Sequence, residues 1–187
     1  MLKKFAHAVL KLFGWRLEVS LPQEKKFILI GAPHTSNWDF PLALLTFWTT
    51  DLKIYWVAKI QLFRGPLYYL FTALGGIPVD RSSSHGFIKQ IAEKFNQAEK
   101  MVLAIAPEGT RSKTAYWRSG FYHIALSAGI PICLGYIDYS KKKIGIGQLI
   151  CPSGDIEADI RIIADYYQNK KGKRPQNQGP IRIKSNN

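Results

Sequence analysis

Beyond Pro22 the chain alternates short apolar runs with longer stretches whose apolar residues recur at helical spacing. Continuous apolar runs suit strands buried on both faces, and the amphipathic stretches between them suit crossover helices. Residues 27–32 (FILIGA), 54–58, 77–79, 101–106 (MVLAIA), 132–137 and 144–151 read as strands. Residues 42–50, 65–74, 86–98, 120–128 and 155–168 read as helices, the second opened by Pro66, whose fixed φ suits a first helical turn. Such alternation predicts an α/β fold: one domain over 1–187 with a mostly parallel or mixed central sheet flanked by helices. Lys141, Lys142 and Lys143 separate two apolar runs and mark a turn or sheet edge.

The two ends of the chain differ from this pattern. Within residues 1–17, a wheel at about 100° per residue puts Leu2, Phe5, Ala6, Val9, Leu12 and Phe13 on one face and Lys3, Lys4, His7 and Lys11 opposite. This is a basic amphipathic helix, which could pack on the core with its lysines in water or lie in a lipid headgroup layer. No secretory signal is expected here, because Lys11 interrupts the apolar region and Phe13, Trp15 and Arg16 occupy the place of a small-residue cleavage site. At the other end, Lys170, Lys171, Lys173 and Arg174 open a polar segment, 170–187, whose composition predicts a basic, mobile tail that does not pack.

Composition narrows the candidates for a partner. The 187 residues carry 26 Lys and Arg against 13 Asp and Glu, a net charge of +13 that calls for an anionic partner: nucleic acid, a lipid surface or a phosphorylated substrate. No aromatic RNA-binding block or zinc finger is present, so no specific nucleic acid is expected. Cys133 and Cys151 are too few for a disulfide framework and lack the spacing of a metal site, so neither disulfide nor metal is expected. The longest stretch without charged residues, 119–137, is divided by Gly129 and Pro131, which rules out a spanning helix there.

Candidate chemistry sits where strands end, the usual place for sites in α/β sheets. After the first strand comes Pro33-His34-Thr35-Ser36-Asn37-Trp38-Asp39. On a regular helix His34 and Asp39 would lie about 140° apart, so they meet only if the intervening turn is non-helical. Pro41 favours that, since it disfavours helical geometry at Phe40. If they meet, Asp39 fixes the tautomer of His34 and leaves the other ring nitrogen to act as a base; otherwise they are a surface His near a helix-capping Asp. After the strand ending at Ala106 comes Pro107-Glu108-Gly109-Thr110-Arg111-Ser112, which joins a flexible glycine, two hydroxyls and a guanidinium fork suited to phosphate or carboxylate. Taken alone it could equally be a polar turn with an internal Glu-Arg pair. A third segment, Gly75 to Arg81, ends on an Asp-Arg pair and offers Arg81 as a second phosphate ligand, and Gly129-Ile130-Pro131-Ile132 enters a later strand.

In this order the four segments resemble the H-x-x-x-x-D, glycine-to-arginine, P-E-G-T-R and G-x-P blocks of the glycerolipid acyltransferase family, typified by 1-acylglycerol-3-phosphate acyltransferases. The resemblance covers roughly residues 31–135, although Pro33 stands where many members have Asn and Ala106 where many have Phe. It implies acyl transfer from a thioester of coenzyme A or acyl carrier protein, as donor substrate and with no resident cofactor, to the hydroxyl of a lysophospholipid. His34 and Asp39 match the family's catalytic pair; Glu108, Gly109, Thr110 and Arg111, with Arg81, match its acceptor-binding blocks. With the basic N-terminal helix, it also implies a peripheral protein on an anionic membrane, at the cytoplasmic face, with no membrane-spanning helix. Two alternatives stay open from the residues alone: the same chemistry on a non-phosphorylated lipid alcohol or amino-lipid, and a non-catalytic basic binding module.

Overall fold

A computed structural model describes residues 1–50, 52–79 and 84–184. Its elements in chain order are α1 (Leu2–Leu12), β1 (Arg16–Val19), β2 (Lys26–Gly31), α2 (Asp39–Thr49), β3 (Ile54–Lys59), α3 (Pro66–Ala73) and β4 (Gly76–Val79). The second half adds α4 (Ser84–Gln97), β5 (Met101–Ile105), α5 (Gly120–Ala128), β6 (Ile132–Asp138), β7 (Lys143–Ile150) and α6 (Ile156–Tyr167). The seven strands form one sheet in the order β1-β7-β6-β2-β5-β3-β4, with β6 and β7 antiparallel and the other described pairs parallel.

Alternation along the central strand assigns the two faces. Ile28 and Ile30 of β2 join a core with Ile91 and Phe95 of α4, Phe121 and Ile124 of α5, and Ile160 and Ile163 of α6. Phe27 and Leu29 point to the other face, with Ile54, Val102, Ile146 and Phe47 of α2. Right-handed crossovers account for this division. From β2 the chain moves outward to β3 through α2, whereas from β5 it moves back across β2 to β6 through α5, so adjacent strands send their connections to opposite faces. A crevice at the strand ends follows from that reversal, as in other open α/β sheets. Because β2 and β5 pair in parallel, with Ile30 beside Ile105, the loops carrying His34 and Glu108 leave the sheet side by side.

Three local features differ from the sequence reading. β1, a four-residue edge strand parallel to β7, was not expected; it is half-exposed and too short to show a period. α2 begins at Asp39 rather than at residue 42, because Pro41 lies in the first turn, where its missing N–H costs no hydrogen bond. The segment from Lys170 does pack, contrary to the expected tail. As far as Lys184 it runs as a strap over the ends of β2 and β5, bonding Arg174 N–H to Thr35 Oγ1 (3.1 Å), Asn177 Nδ2 to the Arg111 carbonyl (2.9 Å) and Trp117 N–H to the Arg182 carbonyl (2.8 Å). Its main chain and the side chains of Asn177, Gln178 and Arg182 find hydrogen-bond partners within the protein while most of its lysines stay exposed, which is why composition misjudged it.

α1 docks through Ala6 and Leu10, both buried, and packs against α2. Its large apolar residues face outward: Leu2 is 51% exposed, Phe5 58%, Leu12 82% and Phe13 63%. No helix of the described residues is long and apolar enough to cross a membrane.

Candidate active site

The loop between β2 and α2 brings His34 and Asp39 together. His34 Nδ1 lies 3.1 Å from Asp39 Oδ2, with Asp39 buried and His34 half-buried. The intervening turn is non-helical, as the spacing required. Thr35 N–H and Ser36 N–H both donate to Asp39 Oδ2 at 2.9 Å, and Ser36 Oγ accepts from Trp38 N–H at 3.2 Å. Asp39 Oδ1 accepts the hydroxyl of Tyr139 at 2.8 Å. Burial pushes the Asp39 carboxyl up, but the bonds from His34, Ser36 and Tyr139, with the His34 charge, outweigh it and hold the carboxyl below its ordinary value. Asp39 is therefore a fixed anion that fixes the orientation of the imidazole.

Behind this loop, Glu108 is buried, and both its oxygens accept the backbone N–H of His34, at 3.0 and 3.1 Å. Burial pushes its carboxyl up to about 7 against the opposing pull of that N–H and of His34. Sequence reading placed Glu108 among the acceptor-binding residues; in the structure its carboxylate is turned to the main chain of the histidine loop. A positive φ of 65° at Gly109 turns the chain just after it, a conformation that glycine adopts without steric cost. Thr110 and Arg111 are exposed beyond that turn, Thr110 Oγ1 accepting from Ser112 N–H at 3.2 Å. Arg81 lies outside the described residues. Among the described residues, no group of three or more His, Cys, Asp or Glu could hold a metal ion.

His34, Asn37, Asp39 and Arg111 border a cleft of about 510 Å³ between α2 and the sheet, within the range of small-molecule sites. Its walls are otherwise largely apolar, with Leu29, Phe40, Phe47, Trp56 and Ile146 among them. Space exists there because small residues line it where the sheet faces α2: Ala43 on the helix, and Ala104 and Gly135 on the strands. Trp56, Phe63 and Phe71 close the β3 side in a group of aromatic contacts, with Phe40 edge-on to Trp56 at 4.7 Å.

Tyr139 escaped the sequence reading, since it is 100 residues from Asp39 and follows an ordinary apolar run. The signal for it is topological: β6 lies parallel to β2, so the residue just after β6 must emerge near the loop just after β2. Tyr167 escaped for the same reason. From α6 its buried hydroxyl donates to the carbonyls of Gly135 (2.8 Å) and Ile30 (3.2 Å), tying the ends of β6 and β2 together.

A histidine–carboxylate pair at the strand ends of an open α/β sheet, over an apolar cleft, has the geometry to activate a polar group beside a hydrocarbon chain. The Acyltransferase family model matches residues 16–134, and the chain belongs to that family. The 1-acyl-sn-glycerol-3-phosphate acyltransferase of Haemophilus influenzae is 27% identical over 186 residues, covering 87% of this chain and 75% of that protein. The Escherichia coli protein of the same name is 26% identical over 152 residues, covering 74% of this chain and 59% of its own length. The chain thus spans between 59% and 75% of the length of these two relatives. The solved structure of PlsC, the 1-acyl-sn-glycerophosphate (LPA) acyltransferase of Thermotoga maritima, shares the fold with a TM-score of 0.58 over 88% of this chain and 74% of its own, at 20% identity.

Proposed function

We propose that the protein transfers a fatty acyl group from a coenzyme A or acyl-carrier-protein thioester to the free hydroxyl of a lysophospholipid, 1-acylglycerol-3-phosphate above all. The observation that carries this reading is the position of the His34–Asp39 pair at the edge of an apolar cleft that can take a hydrocarbon chain. The names of the Haemophilus and Escherichia relatives supply the acceptor.

In this reading His34, held at Nδ1 by Asp39, uses Nε2 to take the proton of the acceptor hydroxyl as its oxygen attacks the thioester carbonyl. The tetrahedral intermediate collapses, the carbon–sulfur bond breaks, and the departing thiolate receives the proton from the imidazolium. An ester and a free thiol result, with no acyl-enzyme. Ionised Asp39 stabilises the imidazolium while it exists. Arg111, on the cleft border, holds the acceptor phosphate with its planar fork, and Arg81 is assigned to the same phosphate through its resemblance to the family's second block.

The lipid reactants reach the cleft from a membrane surface. The outward Leu2, Phe5, Leu12 and Phe13 of α1, beside Lys3, Lys4 and Lys11, suit a helix lying in an anionic headgroup layer. Leu62, on the cleft wall, is itself exposed, next to the exposed Leu67, Tyr68 and Leu70 of α3. An acceptor panel tests the assignment: purified protein with an acyl thioester should acylate lysophosphatidic acid faster than monoacylglycerol or an amino-lipid. Equal rates on the unphosphorylated lipids would remove the phosphate role from Arg111.

A further inference from the structure

The strap after α6 is built to approach the active-site loops closely. A Cβ on Gly172 would fall 2.5 Å from Thr35 Oγ1, and one on Gly179 would fall 1.9 Å from the Thr114 carbonyl, so only glycine permits the strap to lie where it does. Its bonds reach both loops of the site: Arg174 N–H to Thr35, next to His34, and Asn177 Nδ2 to the carbonyl of Arg111. It is also braced internally. Gly172 N–H donates to Gln178 Oε1 (2.9 Å), Gln178 Nε2 to the Lys170 carbonyl (3.1 Å), and Asn177 N–H to the Arg174 carbonyl (2.9 Å).

This bracing delivers cations to the site. Lys173 Nζ stands 4.8 Å over the ring of Trp38, which is exposed in the loop between His34 and Asp39. Arg174 is exposed one residue further on, and Asn177 joins it to Arg111 through one hydrogen bond to each main chain. Among the described residues no carboxylate forms an ion pair with Arg111, Lys173 or Arg174, and the two carboxylates of the site, Asp39 and Glu108, are buried and bonded to the histidine loop. A main chain already held in place leaves less ordering entropy to be lost when the cationic side chains it carries take an anion.

We propose that Lys173 and Arg174 of the strap join Arg111 in one anion site at the cleft mouth, which holds a phosphate group of the reactants. The inference rests on the acyltransferase reading. Two sources share this chemistry: the phosphomonoester of the acceptor and the phosphates of a coenzyme A donor.

The test compares wild type, Lys173→Ala, Arg174→Ala and the double variant with a Lys89→Ala, Lys94→Ala control, which loses the same charge on α4 across the sheet. Thermal melting confirms that each is folded. Steady-state kinetics vary lysophosphatidic acid at fixed donor, then acyl-coenzyme A at fixed acceptor, with acyl-pantetheine as the donor that lacks the nucleotide phosphates. Calorimetry measures binding of glycerol 3-phosphate and of free coenzyme A without any turnover. The expected result is a rise in KM of about tenfold in one arm for the double variant, with kcat changed little and a matching loss of binding for that arm's probe. A rise for lysophosphatidic acid assigns the site to the acceptor; a rise for acyl-coenzyme A that is absent with acyl-pantetheine assigns it to the donor. A double variant indistinguishable from the α4 control in KM and in probe binding overturns the proposal. Failure of the wild type to acylate any lipid would instead defeat the underlying function, and the calorimetry would still decide whether the strap binds phosphate.

Discussion

At the scale of single residues, the site depends on two buried carboxylates with opposite tendencies. Asp39 is held ionised by four donors, whereas for Glu108 burial outweighs the main-chain N–H groups of His34 and of Glu108 itself and the charge of His34. Glu108 binds its proton more tightly in the folded than in the unfolded chain, so between its ordinary value of 4.5 and about 7 the native state carries the extra proton. Stability contributed by this group therefore falls as pH rises through that window, by on the order of 3 kcal/mol, and stays at the lower level above it. Glu108→Gln keeps an acceptor for His34 N–H and cannot ionise. Denaturant unfolding across pH 4.5 to 7 should show the variant gaining on the wild type as pH rises; parallel curves would mean that Glu108 titrates normally. Tyr139→Phe removes one of the donors to Asp39. A loss of about 1–3 kcal/mol in stability is expected, as for a hydrogen bond to a charged group, together with a lower kcat at unchanged KM. A variant as stable and as fast as the wild type would show that the hydroxyl does nothing for the pair. The His34–Asp39 pairing was legible in sequence as a condition, since the spacing demanded a non-helical turn. What made the turn non-helical, the capture of Thr35 and Ser36 N–H by the aspartate itself, was not.

Among the elements, those with a strong period were readable and those without were not. Buried runs such as 101–106 and the amphipathic stretch of α4 declare themselves, because both faces or one stripe of each must leave water. β1 and the strap carry no period; they are placed by main-chain hydrogen bonds to partners distant in sequence, information that no local pattern holds. α1 was readable as amphipathic but not as docked, because its seat is only Ala6 and Leu10. That narrow seat leaves Leu2, Phe5, Leu12 and Phe13 exposed, and the proposed membrane contact rests on them. Replacing these four by Ser should abolish sedimentation with phosphatidylglycerol-containing vesicles while sparing transfer to acceptor dispersed in detergent. Undiminished vesicle binding would place the contact elsewhere, with the exposed face of α3 the next to examine.

Over the whole molecule, topology assembles the site. Two parallel neighbours, β2 and β5, send their connections to opposite faces, and the histidine and arginine loops meet in the gap. Small residues on the α2 face leave the cleft open beneath them, and the strap from α6 crosses beside the two loops, bonded to Thr35 and to the Arg111 carbonyl. Part of the excess positive charge gains a location in this arrangement: Lys3, Lys4 and Lys11 on α1, and the exposed Lys173 and Arg174 of the strap bonded to the loops that carry His34 and Arg111. The proposed acyl transfer rests on His34 as its base. The most direct test is the initial rate of ester formation from an acyl thioester and lysophosphatidic acid, wild type against His34→Ala, with both proteins shown to be folded. The account predicts clear transfer by the wild type and a loss of about 10²-fold or more in kcat for the variant at little change in KM. Turnover by His34→Ala within a few-fold of the wild type would contradict it.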